Sequence, residues 1–221
     1  MDPSLKIALL WLAFALTHMG LSSLRLRRLL VDTLGMPLFR LVYSLISLAI
    51  FVPLVWVYFA NKHAGPELWL LPRGTALTWT VYVLVGAAFV LVTAGLANPS
   101  PAAVVAGDPA PRAVYRITRH PLFMGLALFA LAHLLPNGWR ADLAFFGGFV
   151  AVGLIGAWHQ DRRKLAVEPG SFAEFRAETP FLPFTGRQTL TGLRELSPTV
   201  VAVGIGLTIL VRYFHRNLFG P

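Results

Sequence analysis

Two histidines lie inside strongly apolar stretches of the chain, where an ionisable side chain is costly. His18 lies in the stretch that begins at Leu5, and His133 lies in the stretch that begins at Pro121. Ionisable residues within membrane-spanning segments are rare and usually serve a function. A neutral imidazole is a good ligand for haem iron, so this pattern predicts His18 and His133 as axial ligands of a haem group.

Cationic side chains stand at the ends of the same stretches. Haem carries anionic propionates, so a membrane site for it needs arginine at the membrane edge. The candidates are Arg25, Arg27, Arg116 and Arg119. His120 follows Arg119 directly and is a further candidate cofactor-binding residue.

The spacing of these residues limits how they can combine. On one ideal helix, His120 and His133 are about 20 Å apart at ~1.5 Å per residue, so they cannot bind the same iron. His18 is therefore the only plausible partner for His133 within the membrane. His18, Ser22 and Arg25 are spaced i, i+4 and i+7, which predicts that they share one face of a helix.

Each of these histidines also has a purely structural interpretation. His18 and His133 could be hydrogen-bonded polar residues between packed helices, which membrane bundles also use. Arg119 and His120 could simply help Pro121 begin a helix. His63 lies in a loop rich in turn residues, and we predict that it is solvated.

The elements that must position these residues are membrane helices. Of the 221 residues, 56% are hydrophobic and only 13% are charged, which is typical of an integral membrane protein. Six apolar runs predict spans at Leu5–Leu24, Leu38–Phe59, Leu77–Leu96, Pro121–Leu135, Leu143–Trp158 and Pro198–Tyr213, of which the fourth and fifth are short. The predicted fold is an all-α polytopic bundle of about six transmembrane spans, with residues 1–221 in a single domain.

The charge distribution indicates a topology. The formal net charge is +9, but the basic residues lie in the loops between apolar runs, and no basic domain could present them to nucleic acid. Most of the Lys and Arg residues follow predicted spans one, three and five. The positive-inside rule therefore predicts that these loops are cytoplasmic and that both termini are external. The chain has no cysteine, which excludes thiolate ligands and disulfides.

Four short motifs resemble those of the NnrU family, which includes plastid carotenoid isomerases. They are His18-Met19-Gly20-Leu21-Ser22-Ser23-Leu24-Arg25, Ile117-Thr118-Arg119-His120-Pro121, Leu131-Ala132-His133 followed by Asn137-Gly138, and Gly156-Ala157-Trp158 with Asp161-Arg162-Arg163. The resemblance extends from Thr17 to about Gly186 and rests on the motifs together.

The resemblance implies a multi-pass protein of the bacterial inner membrane that acts in nitric oxide or nitrite metabolism. In the isomerase branch it implies a haem b enzyme acting on a cis double bond of a carotenoid, with haem ligands that fall on His18 and His133. That branch has a cysteine three residues before the second histidine as an alternative ligand, whereas this chain has Ala130. A change of the iron ligand from this histidine to a cysteine is therefore not expected in this chain.

Several functions stay open at this point. The first is a haem b protein of nitric oxide metabolism, and the second is a haem-dependent isomerase of an apolar polyene. The Arg119-His120-Pro121 motif also looks like that of membrane methyltransferases that bind S-adenosylmethionine, although Asp161 is followed here by two arginines instead of a second acid. The remaining alternative is an assembly factor that binds another membrane protein through the glycine-rich fifth span.

Overall fold

The computed structural model of the chain describes residues 1–101 and 110–219, and these are mostly helical. The described residues form ten α-helices and no β-strand beyond one isolated bridge between Glu67 and Trp139. The helices are α1 Pro3–Leu21, α2 Leu24–Leu34, α3 Met36–Ala60, α4 Thr75–Ala97, α5 Val114–Ile117, α6 Pro121–Leu134, α7 Arg140–Val167, α8 Pro169–Glu178, α9 Thr189–Glu195 and α10 Pro198–Phe219. The prediction of an all-α polytopic fold is confirmed.

Five of these helices are long and apolar enough to cross a bilayer: α1, α3, α4, α7 and α10. The predicted fourth span corresponds to α6, which begins at Pro121 as expected and has 14 residues. At ~1.5 Å per residue it is about 21 Å long, shorter than a hydrocarbon core of roughly 30 Å. The prediction that this span is short is therefore confirmed.

The prediction that the fifth span is short was wrong. Helix α7 runs for 28 residues from Arg140 to Val167, so the basic segment 162–164 lies within the helix and not in a loop. The predicted span was too short because apolar composition identifies only the part of a helix that lies in lipid. Its aqueous extension is supported by side-chain pairs one turn apart, such as Lys164 with Glu168 at 2.5 Å and Arg162 over the Trp158 ring at 4.8 Å.

The first predicted span also ends earlier than expected. Helix α1 ends at Leu21, Ser22 caps it, and Arg25 belongs to the separate helix α2. The Ser22 hydroxyl donates to the Met19 carbonyl oxygen at 3.2 Å, and such local bonds compete with helix continuation. His18, Ser22 and Arg25 therefore do not share one face of a single helix, and the predicted basic loop after the first span is mostly helix α2.

The described chain divides into two compact units. Unit 1 comprises Met1–Pro72 and His133–Val152, and unit 2 comprises Arg73–Ala132 and Gly153–Pro221. In unit 1, α1 and α2 pack against α3. The Trp11 indole lies at the centre of this packing and donates from Nε1 to the Phe145 carbonyl oxygen at 3.0 Å.

A glycine makes room for Trp11. A Cβ atom added at Gly148 would lie 2.1 Å from Trp11 Nε1, far inside van der Waals contact. We expect Gly148→Ala to lower the free energy of unfolding by about 1–3 kcal/mol, the usual cost of overpacking, as measured by thermal unfolding in detergent. Gly147→Ala is the matched control, because its Cβ would meet only the Leu143 side chain at 3.6 Å; equal melting temperatures for the two variants would contradict this packing.

In unit 2, α4 packs along α10, and residues of α4 also contribute to a buried core. This core contains Leu91, Ala94, Val114, Tyr115, Ile117, Phe172 and Phe175. Helix α8 and the short helix α5 contribute to it, so the segment 166–197 between the apolar runs of α7 and α10 is partly helical and partly buried. The proline-rich stretch of sequence that follows α4 includes residues 102–109, which lie outside the described chain.

Candidate functional site

His18 is held in a defined orientation by helix α3. Its Nδ1 lies 3.1 Å from Ser47 Oγ, and its ring stacks on Phe14 with centroids 4.9 Å apart. Ser47 Oγ donates its own proton to the Tyr43 carbonyl oxygen at 2.9 Å, so it accepts from His18 Nδ1–H. This tautomer, assigned from the hydrogen-bond network, leaves the lone pair of the neutral ring on Nε2.

His133 lies in the last turn of α6, within the residues of unit 1. Its ring stacks on Phe146 with centroids 5.0 Å apart. Its carbonyl oxygen accepts from Asn137 Nδ2 at 2.8 Å, which closes the end of the helix. The Asn137 side chain therefore caps the end of α6, which lies one residue after His133.

The two histidines belong to one continuous series of aromatic rings, here called the aromatic cluster. Each ring lies 4.8 to 5.7 Å from the next, in the order His18, Phe14, Trp11, Phe149, Phe145, Phe146 and His133. All of these residues are in unit 1. Two imidazoles in apolar aromatic surroundings, one with its tautomer fixed by a hydroxyl, are suitable nitrogen donors for haem iron. Five rings separate them in this series, so the cluster does not by itself bring both to one iron.

Arg119 and His120 converge on Asp161 in unit 2, and we call these three residues the Asp161 cluster. Asp161 Oδ2 accepts from Arg119 Nε at 2.9 Å and lies 2.8 Å from Nη2. Asp161 Oδ1 accepts from His120 Nε2 at 2.8 Å. The three residues are only 7%, 1% and 4% exposed in the order Arg119, His120, Asp161, so the carboxylate balances a buried guanidinium.

Burial favours the neutral form of the imidazole in this cluster. Burial lowers the pKa of His120, although its hydrogen bond to Asp161 opposes this shift. Because Nε2 donates to Asp161, the lone pair of the neutral ring is on Nδ1. That atom is buried without a hydrogen-bond partner in the described residues.

The Asp161 cluster fastens a distant segment to the start of α6. Arg119 Nη1 donates to the Thr179 carbonyl oxygen at 2.7 Å, and the Arg119 amide donates to the Pro180 carbonyl oxygen at 2.9 Å. Thr118 Oγ1 donates to the Phe181 carbonyl oxygen at 2.7 Å. The Arg119-His120-Pro121 motif therefore both begins α6 and fixes the segment 179–181. A role of Arg119 and His120 in binding a cofactor stays a prediction.

A second buried carboxylate, Asp142, is found in the first turn of α7. Its Oδ1 accepts from the Tyr58 hydroxyl and its Oδ2 lies next to His63 Nδ1, both at 2.8 Å. The Asp142 side chain is fully buried, whereas that of His63 is 38% exposed. The prediction that His63 is a solvated loop residue is confirmed by its exposed side chain. The loop also folds back onto the start of α7, which brings His63 to Asp142.

Sequence reasoning missed both acids, although a signal was present. Each acid lies at one end of the apolar run that forms α7, and an ionisable residue at such a place is a candidate for a specific partner. Asp142 was lost because the predicted span began one residue later, at Leu143. Asp161 was named only as part of the fourth motif, which does not reveal its pairing with residues far away in sequence.

The other arginines predicted to contact propionates have separate roles or environments. Arg116 Nε donates to Glu195 Oε2 at 3.0 Å. Arg27 lies over the Phe39 ring at 5.9 Å. Arg25 is exposed on α2, and its contact with a propionate stays a prediction.

The fold and these residues define a polytopic helical membrane protein with two imidazoles in an apolar aromatic cluster. The model of the family described as "NnrU protein" matches residues 6–221, so the chain belongs to the NnrU family. The resemblance identified from the four motifs is confirmed.

Two plant proteins are similar to this chain over most of its length. It is 30% identical over 197 residues to a protein of Arabidopsis thaliana named "15-cis-zeta-carotene isomerase, chloroplastic". The aligned region covers 86% of this chain and 53% of the relative. It is 30% identical over 190 residues to the protein of the same name from Zea mays, with 82% and 51% covered. The chain thus spans about half the length of these curated relatives. No solved structure matches it.

Proposed function

We propose that this chain binds haem b through His18 and His133 and isomerises a cis double bond of a carotenoid-like polyene in the membrane. The 30% identity to two plant proteins named as 15-cis-zeta-carotene isomerases supports the reaction class. The observation that supports the haem site is that both imidazoles lie in the apolar aromatic cluster of unit 1. Binding of one iron by both histidines would require the rings between them to move apart.

The protein groups would hold and orient the cofactor. Ser47 fixes the His18 tautomer that presents Nε2 as a ligand, as the outer hydrogen-bonding partners of metal-binding histidines commonly do. Phe14 and Phe146, each stacked on one of the imidazoles, restrict ring rotation. A bound haem would supply an iron able to polarise the conjugated chain or exchange an electron with it.

The surroundings of the site suit an apolar substrate and two nitrogen ligands. Phe51 and Phe149 add apolar surface around Trp11, which excludes water and offers ring faces to a conjugated chain. Ala130 is fully buried at the position where the isomerase branch has a cysteine. The methyl side chain of Ala130 cannot coordinate iron. In the proposed site Ala130 therefore cannot take the place of either histidine as a ligand.

The engaged state of Arg119 and His120 favours Arg25 as the propionate partner. Arg119 and His120 both donate hydrogen bonds to Asp161. This pairing also weakens the case for a methyltransferase that uses these two residues to hold S-adenosylmethionine. Binding of nitric oxide, location in a bacterial inner membrane with external termini, and a membrane-protein partner stay predictions from the sequence.

An absorption spectrum tests the haem site. We expect the detergent-purified protein, expressed with added haem, to give a sharp spectrum of bis-histidine type after reduction with dithionite. His18→Ala and His133→Ala should each abolish that spectrum, because each removes one axial ligand. His159→Ala in α7 is the control and should leave the spectrum unchanged.

A wild-type protein without haem, or an unchanged spectrum in both ligand variants, would refute the proposed site. Isomerisation is then tested by expressing wild type and His133→Ala in a host that accumulates a cis carotenoid and separating the isomers by chromatography. Conversion by wild type alone would support the proposal. Haem binding without conversion would leave the site in place and refute the isomerase activity.

A further inference from the structure

Helix α2 has the surface of a helix that lies in a membrane interface. It has 11 residues, none of them buried, and it connects the two spans α1 and α3. At about 100° per residue, Arg25, Arg28 and Asp32 fall within one arc of about 60°, and Leu29 and Leu26 follow beside it at about 40° and 100° from Arg25. These two leucines are 62% and 38% exposed. Exposed leucines beside a cationic face are typical of helices whose apolar side enters the lipid boundary.

The cations of α2 outnumber its anions. Arg25, Arg27 and Arg28 stand within one turn, and Asp32 is the acid of the helix. Arg28 and Asp32 lie 3.9 Å apart with side chains that are 86% and 70% exposed, and such a surface pair is weak. The helix therefore presents a net positive charge.

Arg27 has donors that lack an oxygen acceptor. Its Nη2 lies 3.9 Å from the Met36 sulfur, and its guanidinium lies over the Phe39 ring. Its Nε is buried and has no hydrogen-bond partner in the described residues. A phosphate oxygen would supply the missing acceptor, and guanidinium and phosphate match well in shape and charge.

The start of α3 adds positive potential beside Arg27. Helix α3 begins at Met36 with no acidic residue in its first turn and no side-chain cap, so the partial positive charge of its N-terminus is not offset locally. Arg40 lies one turn further and is exposed. Two cationic elements of different helices thus meet at the turn around Gly35.

We propose that α2 and the first turn of α3 form a binding site for an anionic phospholipid. Arg27, Arg28 and Arg40 bind the headgroup phosphate, while Leu26 and Leu29 enter the boundary between headgroups and acyl chains. The occupant is a lipid and not a free phosphate, because the leucines flank the cations on the same helix. The site is independent of the haem site and of the proposed reaction.

Native mass spectrometry of the full chain tests this site. The detergent-purified protein is titrated with phosphatidylglycerol and, separately, with phosphatidylcholine of the same acyl chains. We expect tighter binding of phosphatidylglycerol, and an approximately 30-fold loss of that preference in the double variant Arg27→Gln/Arg28→Gln, since each arginine near an anionic membrane surface contributes roughly a fivefold factor. The control Arg187→Gln/Arg194→Gln removes the same charge from other exposed positions and should keep the preference.

A measurement on the wild type covers the case in which the double variant does not fold. Trypsin cleavage after Arg27 and Arg28 should be slower in nanodiscs containing phosphatidylglycerol than in nanodiscs of phosphatidylcholine alone. Inorganic phosphate added to the phosphatidylcholine nanodiscs should not reproduce this protection. Equal affinity for both lipids, equal cleavage in both nanodiscs, or protection by inorganic phosphate would each overturn the proposal.

Discussion

Asp161→Ala is expected to destabilise unit 2 by about 3–5 kcal/mol, the usual cost of removing one partner of a buried ion pair. The reason is that Arg119 would keep its charge in a position that is only 7% exposed, with no carboxylate to balance it. His120 Nε2 would lose its acceptor in the same step. Thermal unfolding in detergent, compared with wild type, measures the loss.

Asp32→Ala provides the matched control for this prediction. Asp32 is an acid on a helix as well, but its side chain is 70% exposed and its nearest cation, Arg28, is 3.9 Å away. We expect its removal to change the unfolding free energy by less than ~0.5 kcal/mol, as is usual for surface substitutions. Similar melting temperatures for the two variants would mean that the Asp161 cluster is not a stabilising ion pair.

Local proteolysis distinguishes the release of the segment held by the Asp161 cluster from global unfolding of the protein. Arg119 binds the carbonyl oxygen of Thr179, so a displaced Arg119 should release the segment that follows α8. Trypsin cleavage after Arg187, which is exposed beyond that segment, should then become faster in Asp161→Ala at temperatures well below unfolding. Cleavage at the wild-type rate would show that the segment is held by other contacts.

Asp142→Ala is expected to cost about 2–4 kcal/mol in unit 1. The substitution leaves the buried Tyr58 hydroxyl without an acceptor and removes the hydrogen bond to His63, and a buried donor left unpaired costs roughly 1–3 kcal/mol by itself. The loop that carries His63 would also lose a fixed contact with α7. Thermal unfolding in detergent again measures the effect.

A double-mutant cycle tests the reason for that loss. Tyr58→Phe alone should destabilise the protein, because it removes a hydrogen bond to a carboxylate. In the Asp142→Ala background the same change should be neutral or stabilising, because it removes a hydroxyl that no longer has a partner. Losses that simply add would show that the Tyr58 hydroxyl and Asp142 do not interact energetically.

The long apolar runs made the membrane helices predictable from the sequence. Burying an uninterrupted apolar stretch in lipid dominates its energetics, so α3 and α4 begin and end within two residues of the predicted bounds and α10 begins at the predicted Pro198. Pro121 marked the start of α6 for a local reason, since proline favours the first turn of a helix. The failures at Leu21 and at the end of α7 occurred where polar residues continue or end a helix through specific side-chain bonds.

The polar clusters were not predictable from the same patterns. The Arg119 and Asp161 pair is 42 residues apart in sequence and the Tyr58 and Asp142 pair 84 residues apart. Periodicity is a local property, and it does not say which distant carboxylate faces which donor. For this reason the loop composition around His63 correctly indicated an exposed turn but not the acid that the turn approaches.

The sequence alone determined the membrane class, the helical architecture, the NnrU relationship and the two intramembrane histidines, because hydrophobic length and short motifs are read without knowing the packing. Only the tertiary structure decided that His18 is oriented by Ser47, that both histidines belong to one aromatic cluster, and that Arg119 and His120 donate hydrogen bonds to Asp161. These features depend on contacts across long sequence separations, and the free energy of such contacts depends on burial and on the exact distance between donor and acceptor.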